Sequence, residues 1–243
     1  MRTTTAMHKL TKLLFLLTLT ACSSENSHTI ASIPEASGIS YCKESNTLVV
    51  ANDEGYFYEL TTSGEILLKH KLGEYDLEGV VCQKEQFVFA IEKGEILVVS
   101  RDTLKKKRLK IKGQGFKLTK KNGIEGIAKV KDFYYLSIQE KKSKKDAKIL
   151  VVKLGGSYVK VLKVIDSNII DSSGMEYHNK KLYIVSDKKE KLYIYNLKKK
   201  KIIKKIKLPK FAQEGITFDR EGNIYFADDN GAVMRYSKKE LGL

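Results

Sequence analysis

The sequence predicts an all-β protein, a five-bladed β-propeller built from four-stranded antiparallel blades. Three observations carry that prediction. A short motif recurs at a nearly constant period, the same succession of apolar runs follows each copy, and almost no stretch shows helical periodicity. The motif is a small or acidic residue, then glycine, then an aliphatic residue: Ser37-Gly38-Ile39, Glu78-Gly79-Val80, Glu125-Gly126-Ile127, Ser173-Gly174-Met175 and Glu214-Gly215-Ile216. Its glycines are 41, 47, 48 and 41 residues apart, the length of one four-stranded blade.

The strands follow in order within each period. The motif opens a short apolar run, expected to be the innermost strand. A second run, such as Leu48-Val49-Val50-Ala51 or Phe87-Val88-Phe89-Ala90-Ile91, is continuously β-branched or aromatic, as in a strand covered on both faces. A third, such as Tyr56-Phe57-Tyr58-Glu59-Leu60, follows a tight turn. The fourth, as in Ile202-Ile203-Lys204-Lys205-Ile206-Lys207-Leu208, alternates with lysine, a pattern suited to an outer edge. After Ala232-Val233-Met234-Arg235-Tyr236 the sequence lacks a fourth strand. His28-Thr29-Ile30-Ala31-Ser32-Ile33 precedes the first motif as Ile206-Lys207-Leu208 precedes the last, so the N-terminal strand is expected to close the last blade. The rival architecture, a two-sheet sandwich, needs neither a period nor a complementary terminus.

The propeller is assigned to residues 28–243. Ahead of it, Arg2, Lys9 and Lys12 flank an apolar run, Leu13 to Leu19, that ends in Leu19-Thr20-Ala21-Cys22. This has the layout of an export signal over residues 1–21 and resembles a bacterial lipobox. The resemblance implies cleavage before Cys22, lipidation of Cys22 and a short tether over residues 22–27. An ordinary signal peptide is the alternative. A lipid chain would anchor the protein to a leaflet without a spanning helix, and Ser23 after Cys22 is compatible with the periplasmic face of the outer membrane. Of the remaining cysteines, Cys42 and Cys82 are read either as a disulfide, which an exported compartment permits, or as two buried thiols.

Formal charge is +16, and +13 without Arg2, Lys9 and Lys12. So basic a body suits anionic lipid or glycan surfaces, although lysine-rich loops and edge strands account for much of the charge. Nucleic acid is not expected as a partner, because zinc-ligand spacings, a P-loop and an RNA-binding aromatic signature are all missing from the sequence. Composition, with 42% hydrophobic residues and only 2 prolines, excludes wholesale disorder and collagen-like structure.

The motifs Asp76-Leu77-Glu78-Gly79-Val80, Gly123-Ile124-Glu125-Gly126-Ile127-Ala128 and Asp171-Ser172-Ser173-Gly174-Met175, with acids closing the following strands, resemble the SdiA-regulated (YjiK-like) family of bacterial envelope proteins. The resemblance runs from about Ile33 to the C-terminus. It implies a five-bladed propeller distantly similar to NHL-repeat propellers, a calcium site, and no established reaction.

Equivalent positions in a propeller meet around one axis. The residues before the motif glycines, Ser37, Glu78, Glu125, Ser173 and Glu214, are therefore the first candidates for a shared site. The acids closing the second strands, Asp53, Glu92, Glu140, Asp187 and Asp228, are weaker candidates. Converging carboxylates need protons, basic partners or a cation. An all-oxygen donor set suits calcium better than zinc. Ion pairing and turn capping are the competing roles for the second set. His178 is a weak candidate for a general base, with no Ser or Cys motif beside it. The sequence thus reads as an exported, lipid-anchored propeller of the bacterial cell envelope, a calcium-binding module for a ligand or an envelope protein. The enzymatic alternative is a calcium-dependent hydrolase, lactonase- or esterase-like, using the same carboxylates.

Overall fold

A computed structural model describes residues 28–119 and 122–243. The export signal of residues 1–21, the lipidation site Cys22 and the tether of residues 22–27 lie outside the described residues. The described chain is all-β, with a single 3-10 turn at Asp187–Lys189.

Each period folds as an antiparallel meander. The first comprises β2 (Ala36–Cys42), β3 (Thr47–Asn52), β4 (Tyr56–Thr61) and β5 (Ile66–Lys71), after the short β1 (Thr29–Ser32). Next come β6 (Leu77–Cys82), β7 (Gln86–Ile91), β8 (Glu95–Ser100) and β9 (Lys106–Lys112), followed by β10 (Ile124–Val130), β11 (Phe133–Ile138), β12 (Lys148–Leu154) and β13 (Val159–Asp166). These two meanders join into one eight-stranded sheet through a brief parallel contact, Val159 with Ile111 and Lys160 with Lys112. The fourth period supplies β14 (Ser172–His178), β15 (Lys181–Ser186), β16 (Lys191–Asn196) and β17 (Lys201–Lys207). The last supplies β18 (Gln213–Phe218), β19 (Ile224–Asp228) and β20 (Ala232–Tyr236). Its fourth strand is β1, antiparallel to β20 with Thr29 opposite Met234 and Ser32 opposite Ala232. The N-terminal strand therefore completes the last sheet, as the sequence pattern requires.

Burial follows the predicted order of strands. β2 and β3 are buried throughout, whereas β5, β9, β13 and β17 are largely exposed and carry the alternating lysines. The apolar interior is divided among the interfaces between successive meanders. Phe57 and Val49 of the first pack with Phe87 and Phe89 of the second. Val88 and Ile96 pack with Leu136 and Leu150, Ala128 and Ile149 with Ile184 and Tyr195, and Val185 and Leu192 with Phe226 and Met234. Tyr225 and Val233 of the last meander pack with Leu48 and Tyr58 of the first, so the series returns to its start. Cys42 and Cys82 form a disulfide across the first interface, with Cα atoms 5.3 Å apart.

The motif glycines explain how the innermost strands fit. A Cβ on Gly38 would lie 2.7 Å from the Gly79 Cα, one on Gly79 3.0 Å from the Ile127 backbone nitrogen, and one on Gly126 2.2 Å from the Ser173 carbonyl oxygen. Continuing round, a Cβ on Gly174 would lie 2.4 Å from the Glu214 carbonyl oxygen, and one on Gly215 2.9 Å from that of Ser37. The neighbours are backbone atoms, so they cannot rotate away. Glycine is the residue that lets the backbones of β2, β6, β10, β14 and β18 approach one another in this order.

Candidate functional site

The residue before each motif glycine sits where the pairing of the innermost strand with its neighbour slips. Register shifts fall between Ala36 and Gly38, Leu77 and Gly79, Ile124 and Gly126, Ser172 and Met175, and Gln213 and Gly215. Such a bulge releases a residue from the regular alternation and re-aims its side chain. At one mouth of the central ring, Ser37, Glu78, Glu125 and Glu214 line a cavity of about 200 Å3 together with Asp53, Glu92, Gln139, Lys141 and Asp229. Below it the gap narrows to about 10 Å3, lined by the glycines and the aliphatic residues Ile39, Val80, Ile127, Met175 and Ile216. In three repeats the motif thus places an acid at the mouth, and in all five it contributes to an apolar plug beneath it.

Water is largely excluded from two of these acids, Glu78 at 8% exposed and Glu125 at 7%, while Asp53, Glu92 and Glu214 are half-buried and Asp229 is exposed. Burial is the main cause that pushes the Glu78 carboxyl well above its ordinary range, reinforced by Glu125, Asp53 and Asp76. For Glu125, burial and then the Glu92 charge raise the value to about 8, with Lys141 pulling the other way. Glu214 is raised well above normal by burial, then by Glu125 and Asp187. Asp53 rises to about 6 through burial, opposed by a hydrogen bond that the Ser37 hydroxyl donates to it. Glu92 is raised by burial and then by its hydrogen bond with Asp76, and Asp187 by burial and then by Asp171.

The tightest group consists of Asp53, Asp76 and Glu78, each of which offers a carboxylate oxygen within 4.8 Å of the others. Asp76 was not among the residues singled out from the sequence, although Asp recurs two residues before the motif acid or serine at Asp76 and Asp171. Other predicted residues are occupied elsewhere. The Ser173 hydroxyl is buried and donates to the Gln213 carbonyl. Asp228 Oδ1 accepts from the backbone N–H groups of Ala212 (3.0 Å) and Asn230 (3.1 Å), and Glu140 Oε1 from those of Lys142 (2.7 Å) and Ser143 (3.1 Å). Both acids therefore cap turns. Asp187 begins the 3-10 turn.

His178 is separated from the acids by the length of β14. Five residues divide it from Ser173, about 16 Å of strand, and it lines the opposite mouth. Its ring stacks on Phe218 with centroids 4.4 Å apart. Burial, then the charges of Lys238 and Lys43, hold its pKa below the ordinary value. The acids and His178 are not brought together around one reacting group.

Meanders that pack face to face around a central axis define the class of β-propeller-like proteins. Solved structures agree with that class. A structure described as Myxococcus xanthus glutaminyl cyclase superposes with a TM-score of 0.65 at 11% identity, over 86% of this chain and 92% of that one. A streptogramin B lyase structure gives a TM-score of 0.50 at 12% identity, over 85% of this chain and 70% of that one. Among curated proteins, none matches this chain. The family model described as SdiA-regulated matches residues 24–230, and the chain belongs to that family.

Proposed function

We propose that the protein is a five-bladed propeller, exported and lipid-anchored in the bacterial cell envelope, that uses a calcium ion at its acidic mouth and serves as a binding module. The support for five blades is the cyclic series of glycine contacts and apolar interfaces. Export is supported by the Cys42–Cys82 disulfide, a bond suited to an oxidising compartment.

The observation that carries the calcium reading is the convergence of Asp53, Asp76 and Glu78 within 4.8 Å, beside Glu125 and Glu214, with Lys141 as the one basic side chain lining that cavity among the described residues. The donors are all oxygen, so they fit a hard divalent cation. Asp53, Asp76 and Glu78 would hold the ion, which when bound supplies the positive charge that lets neighbouring buried carboxylates stay ionised. Ser37 orients Asp53 through its hydroxyl, and the apolar plug closes the mouth from below.

The test is calorimetric titration of calcium into chelator-treated protein, with thermal unfolding in parallel. Calcium at a hundred times its Kd is expected to stabilise by about 2.7 kcal/mol, and Glu78→Gln to abolish the binding heat. Lack of saturable binding to a folded wild-type protein would refute the reading. The enzymatic alternative is a calcium-dependent hydrolase, lactonase- or esterase-like, in which an ion held by the same carboxylates would polarise a carbonyl. Turnover of a lactone or ester panel that is lost with chelator and in Glu125→Gln would favour it.

A further inference from the structure

The mouth opposite the acids carries a second repeated pattern. Five residues after the motif glycine stand Lys43, Lys84, Lys131 and Arg220, with Asn179 in the fourth repeat. Each of these cations lies just beyond the end of an innermost strand. Because those strands run in the same sense around the axis, like positions converge, and the cations gather at the end where the strands finish. Lys43, Lys84 and Lys131 line a cavity of about 690 Å3, within the usual size of small-molecule sites. Lys129 also lines it, and Glu44, Glu85 and Glu176 are its acids, with Lys84 paired to Glu85 at 3.5 Å. Arg220 is pinned at the rim, donating from Nε to the Tyr41 hydroxyl (2.8 Å) and from a terminal nitrogen to the Lys43 carbonyl (2.8 Å).

Two further features give the cavity selectivity. One wall is aromatic, the His178 ring lying on Phe218 at an interplanar angle of 13°. A polar chain crosses between strands: the Tyr41 N–H donates to Thr217 Oγ1 (3.0 Å), whose hydroxyl donates to Glu176 Oε2 (3.1 Å). We propose that this cavity binds a small anion bearing several hydroxyl groups, a sugar carboxylate or a sugar phosphate. Lys43 and Lys131 hold the anionic group, the His178 ring, backed by Phe218, covers an apolar ring face, and Glu176, held in place by the Thr217 hydroxyl, meets the hydroxyls. The site does not depend on calcium at the other mouth.

Calorimetric titration of the whole protein with glucuronate, glucose 6-phosphate, inorganic phosphate, glucose and glucosamine tests this, each with and without chelator. One or both anionic sugars are expected to bind at least about tenfold more tightly than glucose, with chelator making no difference, and the stronger of the two identifies carboxylate or phosphate as the preferred group. Lys43→Glu with Lys131→Glu is expected to cost about tenfold or more, whereas the same charge change on the outer strands, Lys107→Glu with Lys205→Glu, is expected to cost no more than about twofold. Equal losses in the two variants would overturn the site as mere long-range attraction. Glucose or glucosamine binding as tightly as the anionic sugars, inorganic phosphate matching glucose 6-phosphate, or no saturable binding of any probe would also overturn it.

Discussion

Raising the pH of metal-free protein from about 5 to about 8 is expected to destabilise it, in contrast to the gain usually obtained when carboxylates ionise. In the folded state burial and the Glu92 charge hold Glu125 at about 8, against an ordinary value of 4.5. Between those values the folded protein keeps a proton that the unfolded chain has released, so stability falls as pH rises through the window. Across pH 5 to 8 those values correspond to a loss of about 3–4 kcal/mol from Glu125, or a melting temperature lower by roughly 7–15 °C in a domain of this size. Glu78 and Glu214 act in the same direction, and Asp53, raised to about 6, adds a smaller part at the acidic end. The assay is urea or thermal unfolding with chelator at pH 5, 6, 7 and 8, repeated in saturating calcium. Calcium is expected to flatten the slope, since it neutralises the same carboxylates. Glu125→Gln is expected to remove the Glu125 share of the loss and to lessen that of Glu78 and Glu214, which its charge helps to raise, while retaining the fold. A stability that stayed level or rose with pH in chelator would refute the argument that these acids are crowded together with too little positive charge, Lys141 alone, to balance them.

Gly126→Ala is expected to cost about 1–3 kcal/mol or more, because its Cβ would meet the Ser173 carbonyl oxygen at 2.2 Å, while Gly156→Ala, with nothing within 4 Å, is expected to be nearly neutral; chemical denaturation separates the two. Replacing both Cys42 and Cys82 by serine opens a loop with a sequence separation of 40 and is expected to lower unfolding free energy by about 4 kcal/mol, measured against the oxidised parent.

The repeat was legible because its cause is local and recurs: a glycine where backbones touch, then strands whose pattern reports burial. Glu78, Glu125 and Glu214 could be grouped from the sequence for the same reason. Asp76 was harder to find, since its role depends on how the chain enters β6 and on the proximity of Asp53 from another sheet. Acids at strand ends are ambiguous by chemistry. Asp53 and Glu92 face the mouth, whereas Asp228 and Glu140 satisfy turn N–H groups, and both roles suit the same residue at the same place. Whether Cys42 and Cys82 bond required knowing the separation of their Cα atoms. The cationic ring shares the motif's spacing but sits in turns, where Lys43, Lys84 and Lys131 are hidden among many other lysines.

Pairing of β1 with β20 sets an order of events in the life of the chain. Thr29 meets Met234, so β1, the earliest strand among the described residues, has no partner until β20 has been made. The circle is fastened only once β20 is present, where the gain from the closing interface offsets the entropy of joining distant segments. Until then two open edges persist, and a molecule interrupted at this stage could pair them with those of another copy instead of its own.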